Sequence, residues 1–597
     1  MKKPTLRASQ LITTFGPGAM VDLPEASVLI AGLDHWNYDP SQLLPIDEPR
    51  LVAKLSDQLG RPKLTLRAPP PANDRPQGLH PAIVAWRFPK WYVVQEAVTS
   101  KSGYRRRRLV HANALDRDRF RDDDGKAKSV VPIRFVRACT KGHIGDIDWP
   151  AFVHGAAVCK REMWVEERGT SGDLDAIFIV CACGAERSMS QAARMQLRAL
   201  GNCNGDRPWL GAGNREACGE PNRLLNRTAS NAYFSQVMSV ISIPDTRSPV
   251  DDVVRSLWED FLCDVDTLAD LKKVRKKPTP AARLEGLADD AVLTAIDRIR
   301  AGASGPARSV KEVEFEALAD AQDEMGVDQP DGVFYARALP STEWQGTITQ
   351  SIQRIVLVHR LREVAALVGF TRFEAIGPDI DGELDLGVKS APLAADASWL
   401  PAVENHGEGI FLQFRATAIE DWLKRPEVIE RGTVLQAGFA LWKRDHEESS
   451  RDFPGLPYIL LHSLSHLLLT AVSLECGYPA SSLRERIYAL PGCYGILLYT
   501  GSPDSEGTLG GLVQAGREIV RHLGRAIELA ALCSNDPVCA YHHPAMHDHQ
   551  PLNGAACHGC LLIAETSCEQ RNEFLDRALV TATVEALGAE FFGPCAL

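Results

Sequence analysis

Residues 533–568 read CSNDPVCAYHHPAMHDHQPLNGAACHGCLLIAETSC, and the cysteine spacing Cys533-x5-Cys539, then Cys557-x2-Cys560-x7-Cys568, decides how the end of the chain is built. A Cys-x2-Cys step sets two thiolates on one tight turn, about the span of two corners of a tetrahedron around Zn²⁺, and two further thiolates close the shell. Five candidates stand for four positions, and spacing leaves open which is spare. A shell of four thiolates has no free position for a substrate, so such a metal holds the fold instead of performing chemistry. The competing reading is one or two buried free cysteines.

Working back from this stretch, an amphipathic helix is expected from about Leu512 to Leu532, preceded by the glycine-rich loop Gly501 to Gly511 and a strand at Gly495 to Tyr499. Ser482-x-x-Glu485 has the form of a capping box opening a short helix. Pro454 and Pro457 precede the almost wholly apolar Tyr458 to Glu475, which stops at Cys476-Gly477 with Pro479 beyond, the punctuation of a buried helix. His462 and His466 share one face of that helix at the spacing of a zincin, but Ser463 stands where H-E-x-x-H has its general base. Two core histidines bonded to backbone or hydroxyls are therefore expected; a metal-dependent hydrolase or nuclease using His462, His466 and Asp504 is the alternative. The loop Ser502 to Gly511 could hold an anion at a helix N-terminus. It is no P-loop, and no G-x-x-x-x-G-K-[ST] occurs anywhere in the chain, so no ATPase is expected.

The expected fold class is multidomain α/β (α+β). Residues 1–245 read as a β-rich zinc-binding region, 246–400 as mainly helical, and 401–597 as an α/β domain with the cysteine-rich zinc site. The helical reading of the middle rests on SPVDDVVRSLWEDFL, DDAVLTAIDRIRA and ITQSIQRIVLVHRLREVAALVGF, with a basic connector from Lys272 to Lys277. Among the N-terminal strands sits a looser metal-ligand set, Cys139-x3-His143, Cys159, Cys181-x-Cys183, Cys203 and Cys218. Cys181, Cys183, Cys203 and Cys218 form the preferred four, with Cys139 and His143 as alternatives or part of a second site. Arg105, Arg106, Arg107 and Arg108, after Lys101, make the densest positive run and read as a hairpin tip suited to DNA phosphates, or simply as a solvated face.

At 597 residues the chain is long enough for three or four domains, and 45% apolar with 24% charged residues is an ordinary globular composition. Fifteen cysteines, eleven of them in two clusters, without an export signal, favour metal over disulfides and a cytoplasmic location away from any membrane. A net charge of -11 repels a phosphate backbone overall, so nucleic-acid contact must come from local patches.

The N-terminal block Arg7 to Asp22 (RASQLITTFGPGAMVD), followed by Asp34-His35-Trp36, resembles the opening of the DrmB family, subunits of the DISARM anti-phage system. Cys139 to Asp146 with Trp149, His462-Ser463-Leu464-Ser465-His466, Glu485 to Tyr488, Ala556 to Cys560, Glu565 to Cys568 and Asn572 to Arg577 carry the likeness along nearly the whole chain. The last third is also similar to the cysteine-bearing domain that ends MrfA-type DNA-repair helicases. The resemblance implies a partnership with the helicase DrmA, engagement of phage DNA with an exposed single strand, and a non-catalytic role; it carries over no catalytic residue.

Overall fold

The computed structural model describes residues 6–593 apart from 24–25, 39–44, 62, 71–82, 101, 156, 244–249, 251–252, 255–256, 305–308, 322–324, 327–331, 376–377, 386–389, 397, 448, 501–509 and 547–549. Lys101, Asp504 and most of the Ser502 to Gly511 loop therefore lie outside the described residues.

An eight-stranded antiparallel sheet occupies the N-terminal part. Its middle strands are β1 (Trp91–Thr99), β2 (Arg105–His111), β3 (Met163–Glu167) and β4 (Ile177–Cys181). Val93, Leu109, Val165 and Ile179 of these strands pack with Trp149 and Phe152 of the short helix Trp149–His154. The β-rich reading of this region agrees with the structure.

The second, nine-stranded sheet draws on every part of the chain. It contains β5 (Phe234–Ser242), β6 (Ile352–Thr371), β7 (Trp399–Phe414), β8 (Leu483–Leu490) and β9 (Cys493–Thr500). β6 and β7 form a long antiparallel ribbon from Ile352↔Phe414 to Ala366↔Ala402. One half of β6 pairs with β5, β7 pairs with β9, and the short strand Thr65–Arg67 joins β7 in parallel. The ribbon serves three cores: Ile355, Leu357, Ile410 and Leu412 belong to the C-terminal core, Val364, Leu367, Phe370 and Ala402 to the N-terminal one, and Val356, Val358 and Phe411 to a smaller one with Phe315 and Tyr488.

Two expectations are corrected here. The stretch 348–370 was expected to be helical, yet most of it is the strand β6. Buried on both faces, it shows neither clean alternation nor a polar stripe, and its Ile and Val content suits a pleated strand. Ser482 to Glu485 opens no helix; it leads into β8, and Leu483, Glu485 and Ile487 alternate inward. The α-helices described in the middle lie between Leu268 and Ala319, with Asp289–Ser304 over the expected segment and a small core of its own, whereas Tyr335–Ala338 is a strand and no α-helix is found among the described residues from there to residue 400. The expected Leu512 to Leu532 helix is broken at Glu518 into Gly511–Arg517 and α2 (Ile519–Ala531), where α1 is the helix Leu456–Ser473.

Helix α1 is the axis of the C-terminal core. It is long and apolar enough to cross a membrane by length and composition, but 78% of it is buried inside the protein. Each fully buried leucine there contributes about 1.5–3 kcal/mol, so Leu460, Leu461, Leu464, Leu467 and Leu468 fix its place firmly against β8, β9 and α2. Any polar side chain on such a helix must find partners inside the protein.

Candidate metal centres

The described residues hold four groups whose ligand atoms lie within 4.8 Å of one another. The first is Cys533, Cys539, Cys557 and Cys560, beyond the end of α2. Sulfur separations are 3.4 Å for Cys533 to Cys557, 3.7 Å for Cys539 to Cys560 and 3.7 Å for Cys557 to Cys560. Four thiolates at about 2.3 Å from Zn²⁺ stand roughly 3.8 Å apart, so the donor set fits a tetrahedral ion. Backbone N–H groups of Asn535 and Gly559 donate to Cys533 and Cys557, and the Asn535 amide donates to Cys557 at 3.2 Å. Burial works against the Cys557 thiolate, but these donors prevail and bring its pKa down to about 7. Cys568 is the spare fifth cysteine, since it belongs to another group.

The looser N-terminal set divides into two groups, and the preferred foursome is corrected: Cys181 and Cys183 do not meet Cys203 and Cys218. Cys139, His143, Cys203 and Cys218 come together instead. His143 Nδ1 lies 3.3 Å from Cys139 Sγ and 3.5 Å from Cys203 Sγ, while its Nε2 faces Glu216 at 2.7 Å. A carboxylate behind a histidine orients the ring and makes it a better metal ligand. The Cys203 thiol is pulled down to about 4, first by its hydrogen bond with Cys139, whose own thiol is pushed up in return. The turn carrying Cys139 and His143 needs Gly142, at φ +82, because a Cβ would meet that of Ala391 at 2.5 Å. Arg372, fully buried, donates to the carbonyls of Gly142 and Gly18 at 2.9 and 2.7 Å and to that of Ala232, tying this turn to the N-terminal block.

Cys159, Cys181 and Cys183 form the third group with His154. Cys159 and Cys181 sulfurs are 3.6 Å apart, and Ala185 N–H donates to Cys183 at 3.5 Å. His154 Nε2 is buried without a hydrogen-bond partner, and as an acceptor it offers a lone pair of the kind a metal ion satisfies. His154 and Cys159 were not in the preferred ligand set; the spacing His154-x4-Cys159 was the available signal.

The fourth group is His462, His466, Glu485 and Cys568, every one buried. His462 Nε2 lies 2.9 Å from Glu485 Oε1 and 3.1 Å from Cys568 Sγ, and His466 Nε2 lies 3.2 Å from Glu485 Oε1. The expected backbone partners of the histidines are present, at the Phe574 and Leu561 carbonyls, but they occupy only Nδ1. Burial would raise the Glu485 carboxyl; His466 and His462 outweigh it and hold that carboxyl well below its ordinary range. The hydrolase alternative needs an open, reachable metal position, and these histidines are 0% and 1% exposed.

The arginine run is the strand β2 and no bare hairpin tip. Arg107 pairs with Glu167 at 2.9 Å, Arg108 pairs with Glu162, and the Arg106 guanidinium lies 4.5 Å over Trp164. Arg105 is the exposed member, whereas Lys272, Lys273, Lys276 and Lys277 of the connector are all exposed.

With these geometries in place, comparison with known proteins is decisive. The chain is 32% identical over 539 residues to the DISARM protein DrmB of Bacillus paralicheniformis, covering 87% of this chain and 92% of the relative. It belongs to the DrmB family. Residues 464–561 match the MrfA Zn-binding domain, a span that contains the four cysteines of the first group, and residues 7–234 match a domain of unknown function, DUF8724. Among solved structures, the DUF1998 helicase MrfA bound to DNA aligns at 17% identity and TM-score 0.17, over 37% of this chain and 23% of that one.

Proposed function

We propose that this DISARM defence protein is a non-catalytic, zinc-stabilised cytoplasmic subunit that partners a DrmA-type helicase and helps it engage DNA with single-stranded character. The family membership carries the reading, through the 92% of the DrmB relative that the chain spans. A sequence without G-x-x-x-x-G-K-[ST] supports a division of labour in which the motor is supplied by another chain. The cysteine groups support metal as a folding element, because all-thiolate or thiolate-rich closed shells leave no position for a substrate. DNA contact is proposed at the arginine strand, chiefly through Arg105, since Arg107 and Arg108 already have carboxylate partners.

The test is co-expression with a DrmA-type helicase, followed by copurification, DNA binding and ATP turnover of the pair and of each chain alone. The expected result is a stable pair whose affinity for tailed DNA exceeds that of the helicase alone, with no ATP turnover by this chain. Steady ATP hydrolysis by a helicase-free preparation, or a pair that never forms, would overturn the reading.

A further inference from the structure

We propose that His462, His466, Glu485 and Cys568 hold a Zn²⁺ ion of their own, separate from the four-cysteine centre, as a closed structural site in the middle of the C-terminal core.

The four ligand atoms lie within 4.8 Å of one another inside the core, all of them buried. His466 Nδ1 faces the Leu561 carbonyl at 2.8 Å and His462 Nδ1 faces the Phe574 carbonyl at 3.2 Å. A carbonyl only accepts, so each Nδ1 bears a proton and donates it, which leaves Nε2 as the ring atom available to a metal. Both Nε2 atoms face Glu485 Oε1, from 2.9 and 3.2 Å, and Cys568 Sγ stands 3.1 Å from that of His462. The remaining neighbours of the two acidic ligands are donors: Ser465 Oγ donates to Glu485 Oε2, Glu569 N–H to Glu485 Oε1 at 3.3 Å, and Asn572 N–H to Cys568 Sγ at 3.1 Å. These satisfy the outer lone pairs and leave the inner ones facing one another. Such a cluster inside a core needs either shared protons or a cation at its centre, and a cation satisfies all four atoms at once.

The donor set selects the cation. Two imidazoles, a carboxylate and one thiolate suit a borderline dication, and tetrahedral Zn²⁺ takes each of these ligand types at about 2.0–2.3 Å. Charge also balances: an ion of +2 against a carboxylate and a thiolate gives a neutral buried centre, once metal binding has released the Cys568 thiol proton. Backbone carbonyls behind both histidines are the usual partners of metal-bound imidazole. A cavity of about 370 Å³ has Glu485 and Cys568 in its wall. The consequence is structural. The ion would pin the middle of α1, the inward face of β8 and the Cys568 loop, segments drawn together from across 106 residues of chain.

The test uses native crystals of the full chain and an anomalous difference map measured at the zinc edge. A peak within bonding distance of His462 Nε2, His466 Nε2, Glu485 Oε1 and Cys568 Sγ, alongside one among Cys533, Cys539, Cys557 and Cys560, is the expected result. A peak at the four cysteines with none at the histidines overturns the proposal and leaves two imidazolium rings sharing the carboxylate as the explanation. In solution, Cys568→Ser should lower the zinc content by one ion per chain, with the cobalt-substituted protein losing the bands of a mixed nitrogen, oxygen and sulfur site and keeping those of the all-thiolate one. A folded Cys568→Ser protein with unchanged zinc content also overturns it. The subunit role proposed above does not depend on this ion, so a failed pull-down and a missing peak are separate results.

Discussion

The arginine strand and the histidine helix were read from sequence in opposite ways, and the structure adds partners to both that no local reading supplied. Four consecutive arginines promise a surface for phosphate, yet Glu162, Glu167 and Trp164 on the neighbouring strand and its approach occupy three of them. Two histidines without the glutamate of a zincin promise inert core, yet they meet a carboxylate and a thiol contributed by β8 and the tail. Local charge says what a segment could bind, while the partners waiting across the fold decide what it has left to offer. The same contrast separates the cysteine groups, since ligands close in sequence were legible and those brought in from afar were not.

The strongest way to press this comparison is on the best-determined centre. Cys560→Ser removes one thiolate from the four-cysteine shell, and because metal binding and folding are coupled there, one zinc and most of the soluble protein should be lost before any specific DNA phenotype appears. Zinc content and soluble yield at matched expression check this; unchanged values for both would break the structural reading of that centre.

Glu485→Ala should come next. Removing the acidic partner of a buried charged cluster costs about 3–5 kcal/mol, and Glu485 is 3% exposed between two histidines. A denaturant titration should show the midpoint falling sharply with little change in slope. A loss below about 1 kcal/mol would return the pair to the status of ordinary core histidines.

Chelation should then sort the centres by burial. The group containing Cys183, an exposed residue, should release metal to a chelator first, and the fully enclosed histidine group only on unfolding. Metal release followed against circular dichroism would show this order, and simultaneous release of every ion would contradict it.

Changing Arg105, Arg106, Arg107 and Arg108 together to Ala should have a smaller effect, because three of the four are engaged within the sheet. Each phosphate contact contributes about 0.9 to the slope of log affinity against log salt, so the helicase complex should lose about one contact, and Arg105→Ala alone should reproduce most of the change. A loss of three or four contacts would mean that the acids let go when DNA arrives. Smallest of all, the Arg107 and Glu167 pair is partly exposed, and a double-mutant cycle should give less than about 1 kcal/mol.

The sequence by itself determined the C-terminal cysteine centre, the buried character of α1, the β-rich N-terminal part and the family, since each rests on residues near one another in the chain or on a pattern spread along it. Tertiary structure decided the rest. β6 is apolar on both faces, so its periodicity could not separate helix from strand, and only its pairing with β5 and β7 does so. Glu485 fits a helix cap by spacing and a histidine-facing strand position by structure, and the choice depends on β9 being available to pair with β8. The grouping of Cys139, His143, Cys203 and Cys218 apart from His154, Cys159, Cys181 and Cys183 depends on which turns the two halves of the N-terminal region bring together. Spacing constrains ligands across a few residues, but beyond a turn the distance between two side chains is set by strand register and core packing, which no local pattern encodes.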